Sequence, residues 1–146
     1  MKIDIVNRQK ELSIKKSSVR KLVQSLLEYL EIDCEEIAIY FVSEQKICAL
    51  HDRFFNDPSP TDCISFPVDE QTLGEIFVCP KTAVDYASKK GLDPYEEAAL
   101  YIIHGILHLI GYDDLEAKER RTMRKKEKSC MRHLSSLGIS ITPASE

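Results

Sequence analysis

His104-Gly105-Ile106-Leu107-His108-Leu109-Ile110-Gly111-Tyr112-Asp113-Asp114 closes a run, from Ala98 to Ile110, in which nearly every residue except the two histidines is apolar. Such a run predicts a helix buried all round rather than an amphipathic surface helix. Asp93-Pro94-Tyr95-Glu96 marks its start, with an N-cap, proline at the first helical position and glutamate three residues after the cap. Gly111 marks its end, where a left-handed residue lets the chain fold back. Histidines four apart on a helix are offset by about 40° around the axis and about 6 Å along it, so both imidazoles reach one point. The fold-back brings Asp113 or Asp114 toward the same point. Three protein ligands with one open coordination position match a catalytic rather than a structural zinc site.

Outward from this stretch, Pro80 suits the first turn of a helix that carries Ala83, Val84 and Ala87 and stops at Gly91. Before it, residues 63–66 and 73–78 read as strands of an antiparallel hairpin joined by the polar turn from Asp69 to Thr72. Residues 36–43 are β-branched or aromatic and apolar on both alternating faces, which predicts an interior strand. Ile3 and Ile5 flank Asp4 in a strand over residues 2–6.

Ser17 or Ser18 caps a helix whose apolar positions are Val19, Leu22, Val23, Leu26, Leu27 and Leu30. A second helix runs from Glu44 to about Phe55 with Ile47, Leu50, Phe54 and Phe55 on one face, and the two prolines within residues 56–61 end it in a loop. A last, charged helix from about Leu115 to Leu137 has a thin apolar stripe of Met123, Cys130, Leu134 and Leu137, with Gly138 as its stop and a frayed tail from Ile139 to Glu146. The expected fold is a single α/β (α+β) domain over residues 1–146. A central sheet of about four strands carries helices packed on it, and the metal site lies at one buried helix and the following turn.

Length and composition agree, since 146 residues with 43% hydrophobic and 30% charged side chains suit one globular core. The five cysteines, Cys34, Cys48, Cys63, Cys79 and Cys130, are widely spaced and read as reduced thiols, mostly in the core. No secretory leader and no membrane-length apolar stretch are present, so a cytoplasmic location without a membrane partner is expected. The net charge of −4 argues against a nucleic-acid partner, but the segment from Lys118 to Arg132 carries eight Lys or Arg against Glu119 and Glu127. Arg120, Arg121, Arg124 and Lys125 are the candidates for RNA phosphates, against the blander reading of a solvated helix face. No aromatic residue is interleaved with them, so their contribution would be electrostatic.

A lone buried histidine is more often a hydrogen-bonded core residue than a ligand. Two at ligand spacing on an apolar helix, followed within six residues by a glycine and paired carboxylates, reverse that preference, because a shared ion supplies the partners that buried imidazoles need. His51 and His133 lack such company and read as surface or half-buried residues. Zinc peptidases also place two histidines four apart, but need a glutamate directly after the first, where Gly105 stands. What remains is a metal whose bound water acts as nucleophile while the ion polarises a substrate oxygen, which suffices for phosphodiester hydrolysis.

The chain resembles the YbeY family of bacterial single-strand-specific metallo-endoribonucleases. The family signature His-Gly-x-x-His-Leu-x-Gly-Tyr-Asp-His is met over residues 104–113 with Asp114 in its last place, Pro60-Thr61-Asp62-Cys63-Ile64-Ser65-Phe66-Pro67 looks like the family's Pro-Thr-Asp-Val-Leu-Ser-Phe-Pro, and Leu73-Gly74-Glu75-Ile76 like its Leu-Gly-Asp-Ile. The resemblance implies a single zinc ion, a four-stranded α/β fold, and 3′-end processing of small-subunit rRNA with ribosome quality control. Single-stranded rRNA and the small ribosomal subunit would be its partners. By position it implies the ligand set His104, His108 and Asp114, with Asp113 a supporting or turn residue, although sequence leaves the two aspartates exchangeable.

Two departures stand out. Asp114 replaces the family's third histidine, which lowers the charge of the site by one and also suits Fe2+ or another divalent ion. Phe55 replaces an arginine associated with the family's activity, and Arg53, about 200° away on a helix, is no replacement. Ser65 and Tyr112 read as structural, and no side chain is assigned a catalytic role. Two rival readings remain: a ribosome-assembly factor that binds RNA and protein around a mainly structural metal, and a metallohydrolase of another substrate such as a peptide.

Overall fold

Glu36–Val42, apolar on both alternating faces, is an interior strand of a four-stranded sheet in the computed structural model, which describes residues 1–144. With β1 at Lys2–Arg8, β2 at Glu36–Val42, β3 at Cys63–Phe66 and β4 at Thr72–Val78, the strand order is β1-β2-β4-β3. β1, β2 and β4 run parallel, and β3 closes an antiparallel hairpin on β4. Five helices complete the α/β chain: α1 Lys16–Tyr29, α2 Glu44–Phe55, α3 Pro80–Lys90, α4 Pro94–Leu109 and α5 Ala117–Ser136.

A strand buried on both sides must be covered on both sides. Ile37, Ile39 and Phe41 point into the larger core, shared with α1, α4 and α5, while Val42 joins Ile47 and Ile64 in a smaller core under α2. Tyr40 stacks on Phe77 there at 4.7 Å, and its hydroxyl donates to the Glu75 carboxylate.

α4 is apolar all round because it lies between the sheet on one side and α3 and α5 on the other. Its approach to the sheet is close: a Cβ on Gly105 would come within 2.8 Å of Ile76 Cγ2 on β4. The Ser65 hydroxyl on β3 donates to the Gly105 carbonyl at 3.1 Å. Gly105 is therefore a packing residue, and Ser65 holds the helix to the sheet.

Three expectations are corrected. The tail is not frayed through Ala144: Ile141 is 3% exposed in the main core, Lys15 N–H donates to the Thr142 carbonyl, and Ala144 N–H donates to Ser13 Oγ. Positions 145–146, the end of that expectation, lie outside the described residues. Neither Ser17 nor Ser18 caps α1, and docking of the tail occupies Ser18. The Ser18 hydroxyl donates to the Lys15 carbonyl and accepts from Thr142 N–H instead, and Lys15 takes the cap position. Finally, the apolar ends of two helices stay in the open. Phe54 and Phe55, in the last turn of α2, are 52% and 57% exposed, and Leu115 and Leu137 lie just outside α5 and are exposed. No helix among the described residues is long and apolar enough to cross a membrane.

Two substitutions test this packing. Ile141→Ala should lower unfolding free energy by about 2 kcal/mol in urea titration, whereas a frayed tail would give no change. Gly105→Ala should destabilise by about 1–2 kcal/mol through overpacking, although alanine in an open helix would stabilise by about 1 kcal/mol.

Candidate metal centre

α4 brings His104 and His108 to its outer rim, one turn apart and half-buried. The helix then ends as a left-handed glycine dictates. Gly111 takes φ +106°, its N–H donates to the His108 carbonyl at 3.1 Å, and Tyr112 N–H reaches back to the Leu107 carbonyl at 2.9 Å. The chain reverses there, and Asp113 Oδ1 accepts the Asp114 N–H at 2.7 Å, which tightens the turn. Arg120 braces it from α5, its Nη1 donating to the carbonyls of Leu115 at 2.9 Å and Asp114 at 3.3 Å.

The outcome is a compact donor set. His104 Nε2 and His108 Nε2 are 3.0 Å apart, and the Asp114 carboxylate lies 3.5 Å from the first and 3.7 Å from the second. One ligand atom from each residue falls within 4.8 Å of the others, the one such group among the described residues. Tetrahedral zinc with ordinary Zn–N bonds would hold two nitrogens about 3.3 Å apart, so the spacing fits an ion. Glu127 adds a further reason: its Oε2 lies 2.6 Å from His104 Nδ1, so that nitrogen carries the proton and Nε2 faces the other donors. This hydrogen bond, against the opposing effect of burial, raises the His104 pKa above its ordinary value. Desolvation and the nearby Asp62, Glu127 and Asp114 carboxylates push the Cys63 thiol well up, so it stays protonated and a poor ligand or nucleophile.

Two clefts meet at this centre. The larger, about 1020 Å³, is lined by His104 and Asp114 and by Arg120, Arg124, Lys128 and Arg132 of α5. The smaller, about 500 Å³, is lined by both histidines and Asp114 together with His51, Phe55 and Leu115. Of the four basic residues proposed from sequence, Arg120 and Arg124 line the larger cleft. Arg121 and Lys125 are exposed and outside its lining. The four-residue step from Arg120 continues instead through Lys128 and Arg132, a helical periodicity present in the sequence.

Glu127 was also within reach of sequence reading. It falls four residues after Met123 and three before Cys130, on the inward stripe of α5, where a carboxylate needs a partner. His51, read as surface or half-buried, is half-buried but beside the centre, its Nδ1 bonded to the Ser59 carbonyl at 2.8 Å. No sequence signal brings it there. His133 is remote and stacks on Tyr29. Phe55, where the resemblance expects arginine, lines the smaller cleft itself, and Arg53 lies over the Phe54 ring at 5.3 Å instead.

The sequence profile of the family described as Endoribonuclease YbeY matches residues 4–135. Endoribonuclease YbeY of Protochlamydia amoebophila is 45% identical over 145 residues, covering 95% of this chain and 97% of that protein. The Chlamydia pneumoniae protein of the same name is 42% identical over 137 residues, 87% of each. Among solved structures, the solution structure of a Thermotoga maritima protein superposes with a TM-score of 0.67 at 32% identity, covering 90% of this chain and 88% of the other. A family profile matched over residues 4–135 and relatives 42–45% identical over most of the chain lead to one conclusion: the chain belongs to the YbeY endoribonuclease family.

Proposed function

We propose that this protein is a divalent-metal-dependent endoribonuclease of single-stranded RNA, acting in the cytoplasm on the 3′ end of small-subunit rRNA in contact with the small ribosomal subunit. The observation that carries the metal-dependent reading is the His104–His108–Asp114 donor set with Glu127 behind it. The RNA substrate rests on family membership together with the row of α5 cations in the cleft that opens onto that set. Zinc is the first choice of ion, and Fe2+ fits the same donors. A divalent ion bound there would acidify a water molecule and polarise a phosphoryl oxygen, the chemistry that phosphodiester hydrolysis needs.

The side chains do the rest. Glu127 keeps a proton on His104 Nδ1 and so directs the Nε2 lone pair into the site. Asp113 and Arg120 hold the turn that aims the Asp114 carboxylate. Arg124, Lys128 and Arg132 attract the phosphates of a strand along α5, a contribution that weakens as salt rises. Gly105 leaves no carboxylate for a peptidase mechanism, and α4 packs too tightly on Ile76 to admit a side chain there.

Phe55 favours a second reading, an RNA-binding assembly factor with a mainly structural metal, because it removes a cation from the smaller cleft. Cleavage of a labelled single-stranded RNA separates the two. Wild-type protein with metal restored should cut it, and chelation or His108→Ala should abolish cutting. A folded, metal-loaded protein that binds the RNA without cutting it would establish the assembly factor. Glu127→Gln should weaken metal affinity by about 10–100-fold in a chelator competition, with the fold intact by circular dichroism.

A further inference from the structure

Phe55 is the last residue of α2, and Asn56 after it takes a left-handed conformation that turns the chain away. That leaves the ring uncovered and 57% exposed at the edge of the metal centre. Its neighbour Phe54 is differently placed, packed against Phe66 at 4.8 Å with Arg53 above it. Phe55 has one backing partner, the His51 ring, 5.7 Å away and tilted by 54°, which the Ser59 carbonyl fixes in place. Leu115, 79% exposed, lines the same small cleft. Two large apolar side chains that share one cleft beside the candidate metal centre suit an apolar or aromatic occupant.

Charge limits what that occupant is. The small cleft has no Lys or Arg in its lining but contains Asp62, Asp113 and Asp114, so a phosphate is disfavoured there. The adjoining large cleft shares Asp62 and Asp114 and also has Glu97 and Glu127, but there the row Arg120, Arg124, Lys128 and Arg132 along α5 supplies cations that the small cleft lacks. A single strand crossing between them would put its backbone on the basic side and a base on the aromatic side. An unpaired base offers a flat π-face and no net charge. A base held in a duplex does not expose that face.

Building on the nuclease reading above, we propose that Phe55 is a base-stacking residue: with Leu115 it grips one unpaired nucleobase of the RNA beside the metal centre and so selects single-stranded substrate. This gives the phenylalanine a role of its own rather than that of a missing cation. Stacking is sequence-tolerant, because every base has such a face.

The test uses full-length, metal-loaded protein and single-stranded oligoribonucleotides that carry 2-aminopurine at successive positions. Fluorescence quenching on binding should mark one stacked position in wild type. Phe55→Ala should lose that quenching and bind roughly 5- to 150-fold more weakly. Phe55→Tyr should keep both properties, and Phe54→Ala should behave as wild type. An oligonucleotide lacking the base at that position should bind wild type as weakly as the full strand binds Phe55→Ala, which reads the same contact without altering the protein. If Phe55→Ala keeps wild-type affinity and quenching while wild type binds and cleaves RNA, the stacking role is wrong and the nuclease reading stands. If wild type neither binds nor cleaves the RNA, both are wrong.

Discussion

The contact between α4 and β4 is the constraint on which the rest of the site depends. Residue 105 has no side chain, so the helix backbone sits against Ile76 and its carbonyl accepts from Ser65 on the neighbouring strand. Close packing in a core leaves few ways to shift a helix without opening a void or forcing a clash. That fixes the helix along its axis and around it. His104 and His108, on the rim of α4 beside β3, are positioned by the same contact. The backbone of α4 is thus held by the core, while its polar side chains remain available for chemistry.

A second constraint acts at the end of α4. Reversal at Gly111 leaves only Tyr112 and Asp113 before Asp114 must face the histidines, so the turn has little freedom. Asp113 satisfies a backbone N–H within it, and Arg120 satisfies two carbonyls from outside. α5 then contributes on two levels. Its inward stripe carries Met123, Cys130 and Leu134 into the core and, in the same register, Glu127 to His104. Its neighbouring face carries the cations of the large cleft. One helix therefore backs His104 with a carboxylate and lines the large cleft with a row of cations.

The replacement of a family cation by Phe55 gains its meaning from where the two clefts meet. Cations lie along α5, and the small cleft has none in its lining, where Phe55 and Leu115 stand among acidic and histidine side chains. Such a division separates the two halves of a nucleotide, backbone from base, across the metal centre.

Much was legible from residues alone. The buried helix with its cap and glycine stop, the interior strand 36–42, the hairpin of β3 and β4 and the spacing of His104 and His108 are all local patterns. Backbone sterics and hydrophobic periodicity act over a few residues, so sequence carries them directly. The fold class and the family motifs followed from the same signals. Tertiary structure decided the rest. Ile141 is a core residue only because a strip of surface beside α1 accepts it, and Ser18 is occupied by that docking. His51 and Phe55 reach the centre from α2, about fifty residues earlier in the chain, and Glu127 reaches it from α5, 23 residues after His104. Contacts between distant segments depend on how whole elements pack, which no local spacing encodes. The sequence by itself determined the elements, the ligand types and their chemistry; packing of those elements decided which side chains share the site and which cations face it.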